Sequence, residues 1–203
     1  GAILWTVIKT KEYSPAELKS FNSQEVVEIK GGLMNIFTSF KQMPETMKQL
    51  GWVQFFSWFG LFCMWVYSTP AIAQHIYGTD IEDTSSSLFN EAGNWVGIIF
   101  GVYNAISASF ALLLPIIAKK IGKKQAHSVA LTAGGLGLLS VYFVQDPIML
   151  ILSMSFVGMA WASILSMPYA LLVGTIPLTK MGIYMGIFNF FIVAPQIISG
   201  IIG

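Results

Sequence analysis

Apolar residues run through this chain in long blocks separated by short polar breaks. The blocks that follow Pro44 are long enough to cross a bilayer as helices, which takes about 20 apolar residues each. Apolar stretches at about 47–76, 92–118, 126–144, 148–174 and 181–203 predict five helices, the last of them cut at Gly203. Residues 1–8, GAILWTVI, are too short to span and read as the tail of a further helix. Residues 9–46 are more polar. There Ser14-Pro15-Ala16-Glu17 reads as an N-cap, a proline and an acid opening a short helix, and Gly31-Gly32 breaks it. Leu33, Ile36, Phe37 and Phe40 then repeat at i, i+3, i+4 and i+7, a stripe suited to a helix lying on a membrane surface or on the protein's cytoplasmic face. The run at 126–144 is rich in small residues, Gly134, Gly135 and Gly137 among them, which permit close helix contact. The pattern predicts an all-α fold, a polytopic transmembrane helix bundle.

Composition narrows the class. Charged residues make up 10% of the chain, against about 25% in ordinary soluble domains, and mean hydropathy is +0.68, so a soluble enzyme or binding module is excluded. Cys63 is the single cysteine; it excludes an intrachain disulfide and a thiolate metal site. None of the HExxH, CxxC, GxSxG or Walker patterns occurs, so neither an enzyme nor a cofactor or metal is expected.

Charge sets the topology. Every basic residue is a lysine: six lie at or before Lys48, four stand at Lys119, Lys120, Lys123 and Lys124, and the last is Lys180. Short lysine-rich loops stay in the cytoplasm, whereas acids contribute little to orientation. The connection at 77–91, with Asp80, Glu82, Asp83 and Glu91, and the turn at Asp146 carry no base and fall on the outer side. All lysines then share one face of the membrane. The cluster around Gly122 is predicted to be a cytoplasmic topology and gating loop, not a nucleic-acid or anionic-ligand site.

The spans carry amide, hydroxyl and indole groups in place of charges. Gln54, Trp58, Leu61, Trp65 and Thr69 follow at three- or four-residue steps and share a helix face. Tyr103 and Asn104 lie near the middle of the second run, Trp161 near the middle of the fourth, and Asn189 and Gln196 are two turns apart in the fifth. Amides exchange hydrogen bonds with sugar hydroxyls and an indole stacks on the apolar face of a sugar ring, which suits a neutral polyhydroxylated substrate. Such residues also bind helices to one another, and for most of these positions that is the competing reading. Asn104 and Trp161 stand out as a mid-membrane amide and indole that need partners. His75, at the outer end of the first full run, is either a proton relay or a surface histidine at a helix end. Trp65, Ser68 and Pro70 in the first run parallel Trp161, Ser166 and Pro168 in the fourth, a spacing that fits an inverted repeat of three-helix units.

These residues carry a resemblance. Pro115-x-x-x-Lys119-Lys120-x-Gly122-Lys123-Lys124 resembles the loop that joins the second and third helices of each half in the major facilitator superfamily, with Lys119 where that loop usually has an acid. Trp161-Ala-Ser-Ile-Leu-Ser-Met-Pro168-Tyr169-Ala170 and the stretch from Gly182 through Asn189 to Pro195-Gln196 are similar to helices ten and eleven of sugar:cation symporters, the glycoside carriers and sucrose transporters. The resemblance implies the C-terminal six-helix half of such a carrier, truncated before its last helix. Residues 1–8 would be the tail of helix six, 9–46 the cytoplasmic linker between halves, and 47–203 the bundle.

It also implies transport of a glycoside, a disaccharide such as sucrose or maltose, by alternating access across the cytoplasmic membrane of a bacterium. A proton or sodium ion would be the coupling partner, and its acids would lie in the N-terminal half. The expected partners are the sugar, the cation, the bilayer and that N-terminal half. Gln54, Trp58, Asn104, Trp161 and Asn189 are the candidate sugar contacts. A carrier fold that senses sugar or serves as a scaffold, without net transport, is the alternative.

Overall fold

The computed structural model describes residues 33–176 and 180–202. Expectations for residues 1–32, including the helix tail and the cap at Ser14, lie outside the described residues. Within them the chain forms α1 (Leu33–Lys41), α2 (Glu45–His75), α3 (Ser87–Ile121), α4 (Lys123–Ser140), a 3-10 turn at Pro147–Met149, α5 (Leu150–Leu172) and α6 (Met181–Ile202). It is an all-helical bundle. Four segments are long and apolar enough to cross a membrane: α2, α3, the 3-10 turn with α5, and α6.

Helix ends follow local chemistry. The helix expected from about residue 92 begins at Ser87, because the Ser86 hydroxyl accepts the Phe89 N–H at 3.0 Å and caps it. That makes α3 35 residues long, about 52 Å at 1.5 Å per residue, well beyond the hydrocarbon thickness. The helix expected over about 126–144 runs instead from Lys123 to Ser140, 18 residues or about 27 Å. Its first turn holds Lys123, Lys124 and Gln125 and no acid, so α4 lacks the apolarity of the other four spans. Two like charges at a helix N-terminus also oppose the helix dipole. Asp146 caps the next turn by accepting the Ile148 N–H at 2.8 Å.

Only Gly122 separates α3 from α4. Its φ of +92° is a conformation that a Cβ would strain, and its N–H closes the last turn of α3 on the Ala118 carbonyl. Across the seam between α4 and α5 a side chain at Gly134 would collide with the Ala160 methyl, and one at Gly137 with the Ser153 carbonyl. Gly135 faces open space and does not serve the contact. Gly158 performs the same service on the other side of α5, where it meets the Tyr103 carbonyl of α3. With no hydrophobic force between helices in lipid, backbone approach of this kind supplies the packing.

Three apolar clusters result. The largest joins α2, α3 and α5 through Leu61, Ile72, Ile99, Tyr103, Met154 and Val157. A second gathers Met47, Leu50, Leu172, Tyr184 and Phe188 around the start of α2 and of α6. A third, Leu114, Ala126 and Met167, lies beneath the lysine turn. Of the stripe predicted on α1, Phe37 and Phe40 turn toward α6: Phe40 stacks on Phe191 with centroids 6.1 Å apart, and Phe37 and Phe40 wall an apolar cavity of about 670 Å³ with Gly186 and Phe190.

On the acidic side, the Trp95 indole N–H donates to the Pro147 carbonyl at 2.8 Å and ties α3 to the α4–α5 turn. There the Tyr77 phenol is pushed above its ordinary pKa, first by burial and then by the carboxylate of Glu91. His75 is exposed, stacks on Tyr142 at 6.1 Å, and has Nε2 3.1 Å from the Val144 carbonyl, so it sits at a surface helix end as one of the two readings held.

Candidate functional site

The polar face of α2 meets α5 in a cluster of three indoles. Trp58, Trp65 and Trp161 each touch the other two edge to face, with centroids 6.2, 5.5 and 5.3 Å apart. Seven residues separate Trp58 from Trp65, so the two rings lie on the same side of α2 two turns apart and Trp161 closes the triangle from α5. Each edge-to-face contact sets the edge of one ring on the face of another and leaves that ring's second face free of it, and all three rings are half-buried. The Trp65 N–H donates to the hydroxyl of buried Tyr103 on α3 at 3.2 Å, which brings a third helix to the cluster.

One turn before Trp58 lies Gln54, 0% exposed. Neither its amide nitrogen nor its amide oxygen has a hydrogen-bond partner among the described residues, and the buried Trp58 indole N–H has none either. Leaving a buried polar group unpaired costs about 1–3 kcal/mol. Three such atoms on neighbouring turns of one helix mark a place where donors and an acceptor stand ready for groups that the described residues do not supply.

The remaining candidates stand elsewhere. Asn104 was expected as a buried amide in need of a partner; it is exposed, and its amide donates to the Phe100 carbonyl of its own helix at 2.8 Å. Asn189 is exposed on α6, where its side-chain oxygen is 3.5 Å from the Tyr169 hydroxyl, while Tyr169 packs edge to face on Phe188. Gln196 donates to the Ile192 carbonyl of its own helix. The structure therefore brings Trp58 and Trp161 into contact, with Gln54 one turn along α2, adds Trp65 and Tyr103, and gives Asn104 and Asn189 hydrogen bonds to other residues.

A second buried polar pair escaped the sequence reading. His127 on α4, 4% exposed, has Nδ1 2.8 Å from the hydroxyl of fully buried Ser163 on α5, while its Nε2 has no partner among the described residues. Ser163 and Trp161 are two residues apart and so leave α5 on roughly opposite sides. The helix is held by α4 on one face and presents an indole to α2 on the other. The sequence signal was a histidine one turn inside an apolar run, just past the lysines.

Each of the four apolar spans carries one interior proline: Pro70, Pro115, Pro168 and Pro195. A proline removes one backbone bond and loosens its helix locally. Two residues before Pro70 and Pro168, the hydroxyls of Ser68 and Ser166 donate to the carbonyls of Met64 and Ala162, one turn back. The two motifs that the sequence paired thus share one local hydrogen-bond pattern, with their tryptophans in contact.

No group of three or more potential metal-ligating side chains occurs among the described residues. The polar groups of this cluster are neutral and aromatic and lie between spans. No curated protein and no solved structure matches the chain. A family profile does match, over residues 1–200, and its description is Major Facilitator Superfamily. The members of that family are membrane transporters, and this chain, an integral membrane protein with four apolar spans among its described residues, belongs to the Major Facilitator Superfamily.

Proposed function

We propose that the chain supplies the C-terminal half of a carrier that moves a glycoside, a disaccharide in the first instance, by alternating access with a proton as the coupling ion. On this reading residues 1–8 end helix six, 9–46 link the halves, and the bundle from 47 onward provides one wall of the sugar path. The observation that carries the proposal is the unpartnered amide of Gln54 and indole N–H of Trp58 beside the Trp58–Trp65–Trp161 cluster. An amide offers donors and an acceptor to vicinal hydroxyls, and an indole face covers the C–H face of a pyranose. Among the described residues no carboxylate or amine is bonded to them, which favours a neutral solute over an ionic one. Asn104 and Asn189, both exposed, would meet sugar only on a wall completed by the other half.

The test is uptake of a labelled disaccharide by the full-length protein at matched expression. Trp161→Ala and Gln54→Leu are each expected to lower uptake at sub-saturating sugar by at least about tenfold, the size of one lost directed contact of roughly 1.4 kcal/mol. Unchanged apparent affinity and rate in both variants would sink the site. Sugar binding without sugar-dependent proton entry into proteoliposomes would favour the sensor or scaffold.

A further inference from the structure

The lysine turn ends in an apolar groove. Lys119 and Lys120 close α3 and Lys123 and Lys124 open α4, and none of Lys119, Lys120 or Lys124 makes an ion pair or hydrogen bond among the described residues. Lys123 alone is engaged, donating to the Ala170 carbonyl at 3.1 Å. The nearest acids along the chain are Glu91, near the opposite end of α3, and Asp146, past the opposite end of α4, each more than 20 positions away. Among the described residues these ammonium groups form a compact patch without counter-charge at the end of two membrane helices.

What lies next to it in the membrane direction is a groove of about 420 Å³ on α4, walled by Ser128, Val129, Thr132, Ala133, Leu136 and by Phe156 of α5. Its polar members are already satisfied in part, since the Thr132 hydroxyl donates to the Ser128 carbonyl at 2.9 Å, so the walls the groove offers are apolar. Lys124, Ser128, Thr132 and Leu136 repeat every four residues and form one row on α4. The row places Lys124 above the groove's mouth, and from Ser128 to Leu136 the groove follows the helix for about 12 Å. Val129 and Leu136 are 60% and 61% exposed, so nothing in the described bundle covers them.

We infer, contrary to the sequence expectation that this turn is no anionic-ligand site, that the turn and the groove together form a binding site for an anionic phospholipid, with its phosphate held by Lys119, Lys120 and Lys124 and one acyl chain lying in the Ser128–Phe156 groove. The bilayer supplies this occupant at high local concentration, and a lysine near an anionic headgroup is favoured by an amount equivalent to about fivefold in affinity. The charge selects the headgroup and the groove fixes where the lipid lies. Zwitterionic lipid of the same chain length satisfies only the second. The site is separate from the indole cluster, so it stands whether or not the carrier takes a sugar.

The experiment is native mass spectrometry of the full-length protein exchanged into detergent doped with phosphatidylglycerol or with phosphatidylcholine of identical acyl chains. Phosphatidylglycerol should be retained preferentially, and Lys120→Gln and Lys124→Gln should each lower its retention about fivefold. Glycerol 3-phosphate, which has the headgroup charge without the chain, should not displace it at equal concentration. Ala133→Trp, which fills the groove, should abolish preferential retention with all lysines in place. Should that variant misfold by circular dichroism, Val129→Ala with Leu136→Ala, truncations at exposed positions, should reduce retention. Equal retention of the two lipids, unchanged retention in both lysine variants, or displacement by glycerol 3-phosphate would overturn the site. Full retention in the groove variants would show that another protein surface covers the groove and would equally overturn it.

Discussion

At the scale of single residues, the chain places polar groups where their partners decide the outcome. His127 has one hydrogen-bond partner, Ser163, in a buried seam. Ser163→Ala would leave both imidazole nitrogens unpaired in a low-dielectric site, and we expect a loss of about 1–2 kcal/mol in resistance to denaturant unfolding in micelles. Ser166→Ala, whose hydroxyl serves only the Ala162 carbonyl of its own helix and lies at a more open position, should cost less than half of that. An equal loss in the two variants would mean that the histidine finds another partner. The legibility of the site divides along the same line. Trp58 and Trp65 could be assigned to one face because helical periodicity alone decides it. That Trp161 closes the triangle, that Tyr103 receives the Trp65 N–H, and that His127 meets Ser163 are facts about pairs of helices, and no spacing within one helix contains them. Asn104 divides in the same way: mid-span depth was legible, but that its side of α3 is exposed in the described bundle was not.

Among elements, the seam between α4 and α5 depends on the absence of side chains at chosen positions. Gly134 and Gly137 stand against Ala160 and Ser153, whereas Gly135 stands against nothing. Gly137→Val should therefore destabilise by about 1–3 kcal/mol or force the helices apart, and Gly135→Val should be nearly silent in the same thermal unfolding assay. If both variants behave alike, the close approach does not support the fold. Small-residue content was plain in the sequence, but the three glycines were indistinguishable there, because which of them meets the neighbour is set by the rotation of α4 about its axis. Helix ends were displaced for smaller reasons: the Ser86 cap lengthened α3 by about a turn, and α4 starts at Lys123 directly after Gly122, a polar turn that hydropathy alone assigns to a loop.

For the whole molecule, the confinement of every lysine to one predicted face makes orientation a testable quantity. Cys63 is half-buried within α2, with its sulfur 3.0 Å from the Ser199 hydroxyl, so added surface cysteines should react well above its background. An impermeant maleimide applied to right-side-out vesicles should label Ser85→Cys and spare Gln125→Cys, and the pattern should reverse in inside-out vesicles. Labelling of both from one side would overturn the topology on which the sugar path and the lipid site both rest. The all-helical membrane class was legible at this scale because apolar run length and lysine placement are sums over many residues and tolerate local error.

The single glycine between α3 and α4 has a mechanical consequence. Successive Cα atoms are 3.8 Å apart, so a connection of one residue holds almost no spare chain, and the lysine-bearing ends of these two helices cannot drift apart by more than a few ångströms. On the opposite side eleven residues, 76–86, join α2 to α3, and eight, 173–180, stand between α5 and α6 on the lysine side. Slack is therefore distributed unevenly through the bundle. If a wall of this domain tilts during a transport cycle, α3 and α4 must swing as one lever pivoting near Gly122, and relative motion has to be taken up by the helices on either side of that pair.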